Sequence, residues 1–232
     1  MALSVFIGRC ICVYQENKKM KKYKAILFDF DGVIGKTMED NYNAWQKTLS
    51  HYSISITKEE YFLQEGINTI ELAKLLLSKN GKDTNQAAEI VKAKEEYYLK
   101  NNNFSLYEGV EETIHALKGN GYLLAIVSAA NFSRLSNTLY PALLKEFNTV
   151  ITGDKIDRGK PFPDPYLTAA KELGLEPTEC LVVENAPVGI EAAKNANMYC
   201  IAITSTLDRK YLSKADKIIG NFSMLLDEIE PQ

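Results

Sequence analysis

Short apolar runs of strand length alternate along this chain with longer stretches in which apolar residues return every three or four positions. The runs Ala25–Asp29, Tyr122–Ser128, Thr149–Thr152, Leu181–Glu184, Tyr199–Ile203 and Lys217–Ile219 are near-continuously apolar and predict buried parallel strands. Between them the spacing predicts helices over Gly109–Lys118, Phe132–Leu144, Pro165–Leu173 and Val188–Ala196. Strands alternating with helices in units of this size predict an α/β fold, a doubly wound parallel sheet with right-handed crossovers. Ligands in such sheets bind beyond the carboxyl ends of the strands.

Residues 37–105 interrupt the alternation. They contain no strand pattern, and apolar residues recur at helical spacing: Ala44, Leu49 and His51, then Ile70, Leu72, Leu75, Leu76 and Leu77, then Ile90, Val91, Tyr97, Tyr98 and Leu99. A structureless loop of that length is implausible. The expected organisation is therefore a core of residues 21–36 and 106–232, with a helical cap at 37–105 inserted just beyond the first strand. Residues 1–20 form an extension with no inferred role, and Met20 is a candidate second start.

Composition narrows the function classes. The chain has 232 residues, 46% of them hydrophobic, and a net charge of −3. Those values fit a folded enzyme-sized core and provide no global basic field for nucleic acid or an anionic membrane. The cluster Lys18, Lys19, Lys21, Lys22 and Lys24 is short and reads as a solvated edge. Cys10 and Cys12 lack a second ligand pair, while Cys180 and Cys200 sit in apolar runs and read as buried thiols. The N-terminal stretch is too short to span a bilayer and makes a poor secretory signal, so the expected compartment is the cytoplasm. A monomer or weak homodimer is expected.

The chemistry lies at the strand ends. Asp29 and Asp31 close the first run, two residues apart and followed by Gly32; in an extended strand both project to one side, with Phe30 opposite. Two buried acids need a cation or a shared proton. Ser128 ends the second run before Ala129, Ala130 and Asn131, where a hydroxyl and free backbone N–H groups suit a phosphate oxygen. Lys160 is held in Arg158-Gly159-Lys160-Pro161-Phe162-Pro163-Asp164-Pro165, whose prolines restrict its backbone. A nucleotide-binding loop is rejected there, because Pro161 stands where Ser or Thr must hold magnesium. Glu184 and Asn185 offer hard oxygens after the fourth run.

With these motifs in this order, the chain resembles the haloacid dehalogenase superfamily of phosphotransferases, over about residues 23–220. The Gly-Lys-Pro-x-Pro-Asp-Pro run and the helical insertion look most like its β-phosphoglucomutase and sugar-phosphate phosphatase subfamily. The resemblance implies that Asp29 attacks phosphorus and Asp31 acts as acid and then base. It further implies that Ser128 and Lys160 hold the phosphoryl oxygens, and that Mg²⁺ sits among Asp29, the Asp31 carbonyl, Glu184 and Asn185. Proximity to Asp29 is expected to raise the pKa of Asp31, with the metal opposing that rise. Gly32, Ala129, Asn131, Asn41, Trp45 and Gly66 are expected to bind a small phosphorylated metabolite, with Glu39 and Asn68 nearby.

Departures from the family pattern narrow the activity. Asn185 stands where the family has an acid. Asn41 and Thr69 stand where β-phosphoglucomutase has a histidine and a cap arginine for its second phosphate, which weakens a mutase reading. The second aspartate argues against the dehalogenase branch, and neither Lys47 nor Lys58 is marked as a Schiff-base lysine. The expected activity is a magnesium-dependent phosphatase, with a mutase or a non-catalytic phosphate-binding protein as alternatives. His51 and His115 have no evident catalytic partner.

Overall fold

The structure is a computed structural model and describes residues 23–229. The extension at 1–20, with Cys10, Cys12 and the lysines up to Lys19, lies outside the described residues. Lys24 is exposed and paired with Glu179.

Six strands form one parallel sheet: β1 (Ala25–Phe28), β2 (Leu123–Val127), β3 (Thr149–Ile151), β4 (Cys180–Glu184), β5 (Tyr199–Ile203) and β6 (Lys217–Ile219). Their order is β3-β2-β1-β4-β5-β6. The chain winds outward from β1 through β2 to β3, then crosses back to lay β4 on the other side of β1. The reversal puts the topological switch point between β1 and β4, where such folds bind ligands.

The two-residue pleat sorts the strand side chains into two cores. Ala25, Leu27, Ala125, Val127, Val182 and Cys200 pack on one face. Ile26, Phe28, Leu124, Ile126, Val183 and Ile201 pack on the other, where Phe30 joins them. Cys180 and Cys200 are free and buried, as their apolar surroundings predict.

Helices α1 (Met38–Ser50), α2 (Lys58–Phe62), α3 (Thr69–Lys79) and α4 (Ala87–Asn101) occupy the region between β1 and α5 (Val110–Gly119). Their starts are chemically marked. Thr57 and Glu60 form a reciprocal capping box, and the Asn68 side chain accepts from the Ile70 N–H. Trp45, Leu49, Leu72, Leu76, Leu77 and Ile90 fill the interior between these helices and run into the first core. Leu75, Leu99 and His51 do not share the buried stripe and face solvent.

One predicted helix is corrected. Phe132–Leu144 is two helices, α6 (Phe132–Thr138) and α7 (Pro141–Leu144), separated at the extended Leu139 and Tyr140. Pro141 has no N–H to continue the ladder and disfavours helix at the residue before it. Helices α8 (Asp164–Glu172), α9 (Pro187–Asn195) and α10 (Leu225–Ile229) complete the layers. Among the described residues no helix is long and apolar enough to cross a membrane.

The single tryptophan is fully buried in the interior of the cap helices, 5.8 Å from Lys94 Nζ. Trp45→Ala is expected to destabilise the protein by about 3–5 kcal/mol in urea denaturation followed by circular dichroism. A change below about 1 kcal/mol would show that the site collapses around the cavity instead.

Candidate active site

Asp29 follows β1 directly, and its backbone N–H still donates to Val183 of β4, at 3.0 Å. Its carboxylate is buried and faces Lys160, whose Nζ donates to Asp29 Oδ1 at 2.6 Å. The same ammonium donates to Glu184 Oε1 at 2.8 Å and to the Val127 carbonyl at 3.1 Å. One cation thus joins the ends of β1, β2 and β4. Tyr166 of α8 also donates to Glu184 Oε1, at 2.7 Å. The Asn185 and Ala186 N–H groups donate to Glu184 Oε2. Gly189 lies so close that a Cβ there would stand 1.7 Å from Glu184 Oε1, so only glycine allows α9 this approach.

Electrostatics separate the two aspartates. Burial pushes the Asp29 carboxyl up, and Lys160 opposes the rise while Glu184 adds to it. Burial acts most strongly on Asp31 in the same sense, but Arg134, Thr37 and Lys94 together outweigh it and hold Asp31 below the usual carboxylate range. The expected rise at Asp31 is therefore corrected. Arg134 of α6, which the sequence reading did not single out, grips Asp31 with both guanidinium arms, at 2.9 and 2.6 Å. Thr37 and Asn41 donate to the same carboxylate at 2.6 and 3.0 Å. Asn41 Oδ1 in turn accepts from Lys94 of α4 at 2.6 Å, and Glu95 lies between Lys94 and Arg134.

The remaining predicted residues separate into walls and caps. Ser128 Oγ accepts from the Ala130 N–H at 3.1 Å, which leaves its own O–H free to donate. Gly66, Ser128, Ala129 and Lys160 wall a small cavity. Ile67, beside Gly66, is bridged to the backbone of Lys160, so the cap rests on the lysine loop. Asn131 Oδ1 accepts from the Arg134 N–H and caps α6. Asn68 caps α3, and Glu39 pairs with Lys58 away from the strand ends. Asn41 and Trp45 wall a second cavity of about 20 Å³ with Glu65, Lys94 and Arg134. His115 is exposed, 3.9 Å from Glu146.

Among the described residues no three Asp, Glu, His or Cys side chains are grouped so that they could hold a metal ion. The predicted Mg²⁺ set fits in a mixed form. Glu184 has both oxygens engaged by protein donors. Asn185 Oδ1, by contrast, is buried without a hydrogen-bond partner, while its Nδ2 donates to Thr206 at 2.9 Å. Gly32, at φ +87°, makes room for this amide, since a Cβ there would stand 2.2 Å from Nδ2. An orphaned amide oxygen, the Asp29 carboxylate and the Asp31 carbonyl are hard oxygen donors of the kind magnesium takes.

The sequence model of the haloacid dehalogenase-like hydrolases matches residues 26–203. The chain belongs to this family. Among its relatives is fructose-1-phosphate phosphatase YqaB of Escherichia coli, 27% identical over 79% of this chain and 97% of the relative. SUPPRESSOR OF QUENCHING 1, a chloroplast protein of Arabidopsis thaliana, is 29% identical over 90% of this chain, which spans 20% of that longer protein. The crystal structure of β-phosphoglucomutase from Clostridium difficile superposes with a TM-score of 0.76 at 25% identity, covering 88% of this chain and 93% of that one.

Glu65 offers a test of the buried electrostatics of this hydrolase. Burial raises its carboxyl from 4.5 to about 7, with Asp31 adding to the rise. Between those values the folded chain holds a proton that the unfolded chain has lost, so this group's contribution to stability falls as pH rises. Over that window the loss is on the order of 3 kcal/mol. The stability of the native protein relative to Glu65→Gln is expected to decline by that order from pH 4.5 to 7.5 in urea denaturation. A pH-independent difference would contradict the placement of Glu65.

Proposed function

We propose that this hydrolase is a magnesium-dependent phosphatase of a small phosphorylated metabolite, a sugar or polyol phosphate, acting through an aspartyl-phosphate on Asp29. The observation that carries the reading is Lys160, held on Asp29 and Glu184 at the switch point of the sheet. The substrate class draws support from the relative named as a fructose-1-phosphate phosphatase.

Asp29 approaches phosphorus with the oxygen that Lys160 does not hold, while Lys160 reduces the repulsion between two anions. Ser128 O–H and the backbone N–H groups after β2 receive the phosphoryl oxygens. Asp29, the Asp31 carbonyl, Glu184 and Asn185 would hold magnesium, which would supply further neutralisation of the phosphoryl charge. The bond from phosphorus to the ester oxygen breaks as the bond to Asp29 forms, and water then releases phosphate from the carboxylate. In this reading Asp31 takes the proton of that water. Protonating the departing alkoxide requires Asp31 to exchange the arms of Arg134 for a proton. The cavities at the site are of single-water size, so the cap must open to admit an ester.

Asp29→Asn is expected to abolish magnesium-dependent phosphate release from p-nitrophenyl phosphate and from a panel of sugar phosphates, a loss of at least about 10³-fold. Retained turnover in this variant overturns the aspartyl-phosphate reading. Glucose 1-phosphate with a catalytic amount of glucose 1,6-bisphosphate belongs in the panel, because its conversion to glucose 6-phosphate without release of phosphate would identify a mutase.

Asn185→Asp restores a charge beside the proposed ion. Magnesium affinity in isothermal titration is expected to rise by about tenfold, the effect of one added carboxylate at a partly buried site. Equal or weaker binding by the variant removes Asn185 from the ligand set.

A further inference from the structure

The segment that leaves β5 reaches two of the strand-end turns at once. Ser205 Oγ donates to the carbonyl of Gly32, the residue after Asp31. Thr206 Oγ1 accepts from Asn185 Nδ2 at 2.9 Å. The segment is anchored on either side of these contacts. The Thr204 N–H donates to the Ile219 carbonyl of β6 at 3.1 Å, and Leu207 is buried in the first core. Thr206 is therefore held in place by contacts that do not involve Asn185.

Asn185 is fully buried, and the two ends of its amide are unequal. Nδ2 is bonded to Thr206 and lies against Gly32, while Oδ1 is buried without a hydrogen-bond partner. Only the oxygen end can ligate a cation, because the nitrogen end carries donors alone. When Oδ1 faces an ion, Nδ2 must face away from it, and a buried N–H without an acceptor costs its full desolvation. A carboxylate in the same place carries no donor, so it has no such requirement.

We propose that Thr206 is a positioning residue for magnesium: its hydroxyl pairs the buried donor that Asn185 turns away from the ion when Oδ1 ligates it. The inference rests on the magnesium-dependent reading above and deepens it. It makes Asn185 and Thr206 one unit, in which the amide supplies the ligand and the hydroxyl makes the ligating orientation favourable. Outer partners of this kind commonly weaken metal binding about 10–100-fold when they are removed.

The test is isothermal titration of magnesium chloride into metal-free protein, for the native chain, Thr206→Val, Thr206→Ser, Asn185→Asp and the double variant Asn185→Asp with Thr206→Val. Thr206→Val is expected to weaken binding about tenfold, and Thr206→Ser, which keeps the acceptor, to stay within about twofold of native. In the Asn185→Asp background Thr206→Val is expected to change affinity by less than about threefold, because no amide N–H is left to pair. Circular dichroism and urea denaturation report that each variant is folded, and Thr206→Ala takes the place of valine in the cycle if valine does not fold. A loss below about twofold for the hydroxyl-free variant, or an equal loss in both backgrounds, overturns the positioning role while the phosphatase reading stands. No magnesium binding by the native protein overturns the magnesium-dependent reading, and this inference with it.

Discussion

A single buried ammonium organises this molecule's chemistry. Two neighbouring strands, β1 and β4, each end in a carboxylate turned to the same side of the sheet, and the two would repel across a dry interior. Lys160 sits between them and also holds the end of β2 through the Val127 carbonyl. Removing such a cation leaves two uncompensated charges, a loss of about 3–5 kcal/mol in comparable buried pairs. The same geometry leaves one oxygen of Asp29 free of the lysine. The packing of the strand ends therefore depends on one contact, and the surroundings serve it: glycine at 189 lets α9 approach Glu184, and Tyr166 and two backbone N–H groups saturate that acid.

A second ionic centre governs the boundary between cap and sheet. Arg134 extends from α6 on the sheet side, grips Asp31, lies 3.4 Å from Glu95 of α4 and stacks over the ring of Tyr98. Two aspartates separated by one residue thus have opposite electrostatic settings. Asp29 is buried with one lysine shared between two acids, and its charge is under-compensated. Asp31 is buried with a guanidinium and two further donors, and its charge is over-compensated. Asp29 is therefore the group that gains most from an added cation.

The sequence carried the sheet well because parallel strands buried on both faces read as unbroken apolar runs. The polar residues gathered at the strand ends were legible for the same reason, since Asp29, Ser128 and Glu184 each interrupt or end such a run. The ionic network at the cap was not. Arg134 stands in Asn-Phe-Ser-Arg-Leu, a polar helix start that looks solvated, and its partner is 103 residues away. Lys94 and Glu95 lie in the charged run from Lys92 to Glu96 and resemble an outer helix face. Only the fold shows that they are buried. Tyr166 was hidden likewise, as one aromatic in an amphipathic helix. The break at Leu139 and Tyr140 did have a local signal, Pro141, which the apolar periodicity on either side outweighed.

The chamber with room for one water has a consequence for how tightly any ligand can be held. This arrangement has no room for the phosphate ester proposed as substrate, so binding of that ester here would be confined to whatever fraction of molecules has parted the cap helices from the sheet. The measured dissociation constant then equals the intrinsic one divided by that fraction. Substitutions at the boundary that leave every ligand contact intact can therefore sharpen or blunt apparent affinity by changing the closed-to-open equilibrium alone.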